Sequence, residues 1–319
     1  MRKIVSIFDI DIPGNTFSDL DSWVQNKLLA DKQVTVAKVN SEFLLRSLKK
    51  PDFKKYLQNS DLNIPDGIGV LWAAKYLSLP SNNPINTVWQ MVYTGAALVF
   101  NHNYAKDVLL ERLSGVEVFK TMLEACAKSE KSVYIFGAKP EVLDKAIKNI
   151  HKEFPGLKIA GSHDGYSNKG SEVVADINKS GAEMLIVALG SPEQEYWIRD
   201  NIVKLPTIRV AVGEGGSLDY IAGNNVRAPK FFQRIGLEWL WRGLFAKNLT
   251  TDGGHRFRRV WNAVPVFIYE VVKWKLKNGA TTPLSSLAAN PGIPIVPPDL
   301  SIEALAKLEG DPHFRKDDK

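Results

Sequence analysis

Asp66 stands in the stretch "NIPDGIGVLWAAKYL", with Pro65 before it and Gly67 after it. Leu62 and Ile64 are apolar, and Pro65 stops a regular element because it fixes φ and has no N–H to donate. Gly67 and Gly69 permit a tight turn, after which Val70, Leu71, Ala73, Ala74 and Leu77 fall at helical spacing. A carboxylate where a buried strand hands over to a buried helix has two readings. As a helix N-cap it accepts backbone N–H bonds, the commoner role for an aspartate. As a general base, pre-positioned by proline and glycine, it takes a proton from an attacking hydroxyl. The two roles can coexist.

Three other segments close apolar runs with glycine: "FGAKP" (Phe136–Pro140), "LGSPEQE" (Leu189–Glu195) and "VGEGGSLDY" (Val212–Tyr220). Glycine lets backbone N–H groups approach a ligand, and a following helix N-terminus favours an anion. One such loop is routine turn chemistry. Three in succession favour a nucleotide or sugar phosphate. None carries the Gly-Lys-Ser/Thr of a P-loop, and none is a G-x-G-x-x-G in the first βα turn, which argues against an ATPase and a nicotinamide enzyme. "DID" (Asp9–Asp11) has the form of a metal-binding pair but reads better as a turn. "SHDGY" offers His163 and Asp164 with no second His or Cys cluster, so a loop hydrogen-bonding role is expected and no metal. No Ser-His-Asp arrangement or G-x-S-x-G is present.

The elements that must position these residues alternate. "KIVSIFDI" reads as a strand, and Thr16 or Asn15 caps a helix to about Ala30. "QVTVAKV" is a strand, and "SEFLLRSLKKPDFKKYLQNS" is two helical pieces broken at Pro51. "GVEVFKTMLEACAK" is helical, "SVYIFG" is a buried strand, and a helix starts at Pro140. "LKIAGSH", "AEMLIVALG" and "TIRVAVG" are further strands, with helices around Ser171–Lys179 and Glu193–Val203 between them. Short, nearly continuous apolar runs ending in glycine predict an α/β fold, a parallel sheet with helices on both faces.

The chain has 319 residues, 45% hydrophobic content, one cysteine and a net charge of +6. That is ample for a large core, and a lone Cys126 excludes an internal disulfide framework. The N-terminal apolar stretch is too short and too acidic for a signal peptide. "MVYTGAALVF" is too short to span a bilayer, so a soluble or surface-bound protein is expected. Pro80–Val108 breaks the rhythm of the sheet and reads as an insertion beside it. Between Arg227 and Lys277 there are eleven Lys/Arg and three Asp/Glu, or +8, which leaves −2 for the remainder, and four of the eight Trp lie there. This stretch is either a core helix pair with solvated charges or an amphipathic element on an anionic membrane surface. It accompanies no nucleic-acid-binding signature, so nucleic acid is not an expected partner. The expected organisation is a core over 1–226 with the insertion at about 80–108, a basic aromatic helical appendage over 227–278, and a Pro-rich, disordered tail over 279–319.

"NIPDGIGVLWAAKYL", "ERLSGVEVF", "VYIFGAKPEV", "FPGLKIAGSHDGY", "LGSPEQEYWI" and "GGSLDYIAGNNVRAPKFFQRIGLEWLWRGL", in that order, resemble the WecG/TagA/CpsF glycosyltransferases (glycosyltransferase family 26) from about Ile4 to about Trp274. The resemblance implies a Rossmann-like core with a C-terminal membrane-associating appendage. It implies a cytoplasmic enzyme, peripheral on the inner face of the membrane. The implied reaction moves a sugar, N-acetylmannosamine in the best-known members, from a UDP-sugar to a polyprenyl-diphosphate-linked sugar, with inversion and without a cofactor. Asp66 matches the family's proposed catalytic aspartate. Asn40 and Arg112 match positions of the acceptor pocket. Gly137, Gly190, Gln194, Gly215, Gly216 and Asp219, with Arg256, Arg258 and Arg259 near the diphosphate, are the implied nucleotide-sugar site.

Departures from the family pattern fall at Lys38, where many members carry Thr, at Ser114-Gly115-Val116-Glu117, which replaces a "TGSD"-like segment, and at an extra Glu214. A non-catalytic nucleotide-sugar-binding protein on the same fold is the competing reading. Joint retention of Asp66, Arg112 and Gln194 speaks against it. The sequence leaves open a homo-oligomer.

Overall fold

The computed structural model describes residues 3–81, 83–101, 104–111, 113–167, 170–224, 229, 254–280 and 284–285, with side chains of the last long helix from residue 264 onward. Six parallel strands form the main sheet: β3 (Val34–Val39), β4 (Leu62–Pro65), β5 (Ser132–Gly137), β6 (Lys158–His163), β7 (Met184–Ala188) and β8 (Val210–Gly213), in the order β4-β3-β8-β7-β5-β6. All expected strands from "QVTVAKV" onward are present.

Alternation along the strands divides the core. Val34, Val36, Ile64, Ile135, Ile186 and Val212 point to one face, against α1 (Phe17–Leu29), α6 (Gly115–Lys128), α7 (Pro140–Glu153) and α10 (Gly215–Ile221). On the other face, Phe136, Leu185 and Ala211 meet α8 (Ser171–Ser180) and α9 (Glu193–Asn201). There too, Ala37 and Val39 meet α2 (Ser41–Lys49), α3 (Pro51–Asn59) and α4 (Ile68–Ser78). Helices on both faces of a parallel sheet bury it on two sides, which is why its strands read as unbroken apolar runs. The starts are chemically marked. Thr16 closes a reciprocal capping box with Asp19 on α1, and Pro51 and Pro140 open α3 and α7.

One region departs from the sequence reading. The first strand is not part of the parallel sheet. β1 (Lys3–Ile7) folds back on β2 (Ile10–Pro13) through a turn whose residues, Phe8 (φ 56°) and Asp9 (φ 63°), are both left-handed. β9 (Leu284–Ser285) joins the other edge of β1 and makes a separate antiparallel sheet. Within the stretch read as an insertion, Pro84–Phe100 is one helix, α5, capped by Asn83.

The last helix, α11 (Gly254–Asn278), is built into the core along its C-terminal half. Phe267 and Val271 are buried among Phe8, Trp72 and α2 and α4 side chains. Phe8 meets Phe267 and Trp274 edge-on at 6.3 and 5.4 Å. The core-helix reading therefore holds for this half, while Tyr269 and Leu276 face outward. Residues 230–253, the first part of the expected appendage, and the tail beyond Ser285 lie outside the described residues.

Candidate active site

The parallel sheet delivers its loops to one rim. β5 leads toward the β6 edge and β7 toward the β4 edge, so the loops behind them part at a topological switch point, where ligands of open α/β sheets sit. Farther along the rim, β3 and β4 run in register with Val39 opposite Pro65, so Asn40 and Asp66 leave the sheet side by side. Asp66 N donates to Val39 O at 2.8 Å. The N-cap of α4 is Gly67, at φ +91°, and no side chain caps this helix. Of the two readings of Asp66, the N-cap one is overturned: glycine makes the turn, and the half-buried carboxylate forms no hydrogen bond among the described residues. Asn40 does cap, its Oδ1 accepting from Phe43 N at 3.0 Å at the start of α2. Gly69 lets α2 and α4 start this close together, since a Cβ there would lie 2.3 Å from Ser41 Oγ.

Gly115, the first residue of α6, closes the site from the other side. A Cβ on it would sit 3.2 Å from Lys38 Nζ, 3.7 Å from Asp66 Oδ2 and 3.8 Å from Ser217 Oγ, so three reactive groups converge on one point. Lys38 makes a short ion pair with Glu214 and donates to Ser217 Oγ at 3.3 Å and Gly115 O at 3.5 Å. An ammonium has three protons, and these three acceptors occupy them. Ser217 donates in turn to Gly115 O at 3.2 Å. Glu214 is 1% exposed, and its Oε1 has no partner among the described residues. Burial pushes its carboxyl above the usual range; Lys38 opposes the rise and the charge of Asp66 adds to it. The two departures noted separately in the sequence, Lys38 and Glu214, are partners in one buried ion pair.

The neighbouring loops are held by backbone and by Gln194. Gln194 Oε1 accepts from Gly190 N at 3.2 Å and Gly215 N at 3.0 Å, and its Nε2 donates to Glu195 Oε1 at 2.7 Å. The side chain expected to touch the donor is 5% exposed and ties the β7 and β8 loops together. Gly137 has φ +116°, and a Cβ on it would lie 2.5 Å from the Ala188 carbonyl carbon. Ala138 N then donates to Ala188 O at 2.8 Å. Gly190 has φ +85°, Gly216 faces open space, and Asp219 lies on α10. Arg112 and the side chains of Arg256, Arg258 and Arg259 lie outside the described residues, although the backbone of the last three is in α11.

One group was not foreseen. Arg46 Nη1 donates to Ser191 Oγ at 2.7 Å beside Glu195, which is 2% exposed with its carboxyl pushed up by burial. Helical spacing puts Glu195 one turn from Ile198 on the inner side of α9, a signal the sequence does carry. Of the expected turn at Asp9–Asp11, only Asp9 is in the turn, and Asp11 lies in β2 opposite Ser6. Asp9 is a turn residue paired with Lys54 at 2.7 Å. The Ser167 hydroxyl, donating at 2.6 Å, and then Ser167 N and Tyr166 N, both at 2.8 Å, hold the Asp164 carboxyl down at about 2. Among the described residues no group of three or more His, Cys, Asp or Glu could hold a metal.

Comparison with known proteins bears on this rim. The sequence profile of the glycosyl transferase WecG/TagA/CpsF family matches residues 5–88 and 82–281. Two similar proteins carry the name N-acetylglucosaminyldiphosphoundecaprenol N-acetyl-beta-D-mannosaminyltransferase. The one from Bacillus spizizenii is 31% identical over 260 residues, 80% of this chain and 87% of its own. The one from Bacillus subtilis is 31% identical over 229 residues, 70% of this chain and 78% of its own. With matches that run through both the Asp66 loop and the glycine loops, the chain belongs to the WecG/TagA/CpsF family of glycosyl transferases.

Proposed function

We propose that the protein is an inverting hexosyltransferase that moves N-acetylmannosamine or a related hexose from a UDP-sugar to a polyprenyl-diphosphate-linked sugar, with Asp66 as general base. The observation that carries this is the Asp66 carboxylate: it stands at a strand end, half-buried, released from capping by Gly67, and converges with Lys38 and Ser217 on Gly115. The names of the two relatives supply the acceptor class and the sugar.

The acceptor hydroxyl oxygen attacks the anomeric carbon, and its proton passes to Asp66. The bond from that carbon to the diphosphate breaks, and UDP leaves with the electron pair. Arg256, Arg258 and Arg259 are the candidates to neutralise the departing charge, because arginine pairs with phosphate through two hydrogen bonds at once. Gln194 acts as a positioning residue, since its amide holds the Gly190 and Gly215 loops in one geometry. Lys38, with its protons already committed, holds Glu214, Ser217 and Gly115 around Asp66. Such an enzyme works at the inner face of the membrane, where its donor is dissolved and its acceptor embedded.

A panel of UDP-sugars with a lipid-diphosphate-linked N-acetylglucosamine acceptor tests the reading. UDP release that requires both substrates and disappears in Asp66→Asn is expected. No acceptor-dependent release from any donor overturns it.

A further inference from the structure

The helix α5 is apolar on its outward side as well as where it meets the core. From Pro84 to Phe100 it carries no Asp, Glu, Lys or Arg. Its inward side holds Leu98 and Met91 and, among them, the buried Thr87 and Thr94. Trp72 Nε1 donates to Thr94 Oγ1 at 3.0 Å, and Thr87 shares a 2.6 Å bond with Ser81. Gln90 donates to Pro80 O and receives Lys275 Nζ, both at 2.7 Å, which ties α5 to α11. Its outward side is apolar: Ile85, Val88, Trp89, Val92 and Phe100 recur at helical spacing, with Ile85 83%, Trp89 67% and Phe100 87% exposed. Pro84 and the first four of these line a shallow groove.

A helix that covers a core in water turns its polar residues out. This one satisfies its polar side chains inside and leaves a contiguous apolar face outside, the mark of a surface that meets a membrane or another protein. No described helix is long and apolar enough to cross a membrane, so an apolar medium would be met lengthwise. Beside α5, α11 exposes Lys273 and Lys277 together with Tyr269 and Leu276. Exposed cations on the helix next to an apolar face, Lys277 and the Glu270-paired Lys273, match anionic headgroups over an acyl layer. A second copy docked symmetrically on this face would bring its own cationic α11 nearby, with like-charge repulsion. Trp89 and Tyr93 are residue types of the membrane–water interface.

We propose that the outward face of α5 seats in the interfacial layer of an anionic bilayer, as a second contact beside the basic C-terminal stretch. It would hold the strand-end rim at the surface where the lipid-linked acceptor lies, and in that respect the proposal rests on the transferase reading.

The test uses the full chain and the variant Ile85→Glu/Trp89→Glu/Val92→Glu, whose positions are all exposed. Co-sedimentation is measured with vesicles of phosphatidylglycerol and phosphatidylcholine at low and high salt. The variant is expected to bind at least about tenfold more weakly, with the deficit persisting at high salt, because burial of apolar side chains is not screened. Equal pelleting of the two forms at high salt overturns the proposal. So does a variant whose sedimentation velocity falls from dimer to monomer while its vesicle binding is unchanged, since the occupant is then a second copy. Should the triple variant lose its cooperative melt, Ile85→Glu alone is used on the same vesicles, with loss of high-salt binding expected and no loss overturning the proposal. UDP release on a short-tailed, soluble acceptor is expected to be the same for variant and wild type. If wild type releases none there, the transferase reading fails while the vesicle comparison still decides the membrane contact.

Discussion

The two ends of the strand-end rim are held by different means. At β3, β4 and β8 the geometry is set by charged side chains: Lys38 and Glu214 form a buried pair, and Asp66 converges with Lys38 beside Gly115. At β5 and β7 the geometry is set by backbone: Gly137 and Gly190 take left-handed conformations, and the neutral amide of Gln194 bridges two loops. The first end is sensitive to charge. The second is sensitive to a single added carbon. Variation between relatives should therefore concentrate in the charged end, where a compensated exchange of two side chains preserves the site, and Lys38 with Glu214 has that form.

The largest effect expected is at Asp66. Asp66→Asn should leave the fold intact and lower transfer by roughly 10²–10⁴, the range for removal of a general base. UDP release checks the rate, and far-UV circular dichroism checks the fold. A folded variant within a few-fold of wild type would leave the charged end without a reacting group.

Breaking the ion pair comes next. Lys38→Met leaves Glu214 buried without its counter-charge, and removal of one partner of such a pair costs about 3–5 kcal/mol. Lys38→Met/Glu214→Gln removes both charges and should cost less than Lys38→Met alone. Urea denaturation of the two variants and wild type measures this. Additive losses would mean that the two side chains act separately. At the backbone end, Gly137→Ala forces a Cβ to 2.5 Å from the Ala188 carbonyl carbon at a φ of +116°, which should cost about 2–4 kcal/mol. Gly216→Ala meets no atom within 4 Å and should stay within about 0.5 kcal/mol of wild type. Equal effects at these two glycines would erase the distinction between a sterically fixed end and a loose one.

Much of this architecture is legible in the sequence, and the gaps have physical causes. The parallel strands announce themselves because both faces of the sheet are covered, which makes short apolar runs that end in glycine. Asp66 is visible because proline and glycine around a carboxylate mark a built turn. The turn at Asp9 is legible, but the hairpin it makes is not, because Phe8 and Asp9 take left-handed conformations with no glycine or asparagine to mark a two-residue loop. The pairing of Lys38 with Glu214 joins residues far apart in the chain. Each looks odd alone, and only the adjacency of β3 and β8 brings them together. The orientation of α5 is hidden for another reason. Periodicity shows that a helix has two faces, but not which one meets the core.

The smallest effect expected lies away from the rim, where α11 is pinned to the core. Lys275 is 2% exposed and donates to Tyr76 O and Gln90 Oε1. Burial lowers its ammonium to about 8. In the unfolded chain a lysine titrates near about 10.4. The folded state therefore binds this proton more weakly than the unfolded state does. Below about pH 8 both states carry it, and folding must bury a charge. Between about pH 8 and 10.4 the folded state has released it while the unfolded state still holds it, so stability rises with pH across that window. A neutral amine keeps two N–H donors, one for each of its two acceptors, so release of the proton need not break either bond. Lys275→Met has no such group. The difference in melting temperature between wild type and Lys275→Met should therefore move in favour of wild type from pH 8 to 10, a comparison in which the titration of the other lysines cancels. A difference that stays flat across this range would mean that the two acceptors hold the charged form as well as water does, and that α11 is anchored by its aromatic contacts alone.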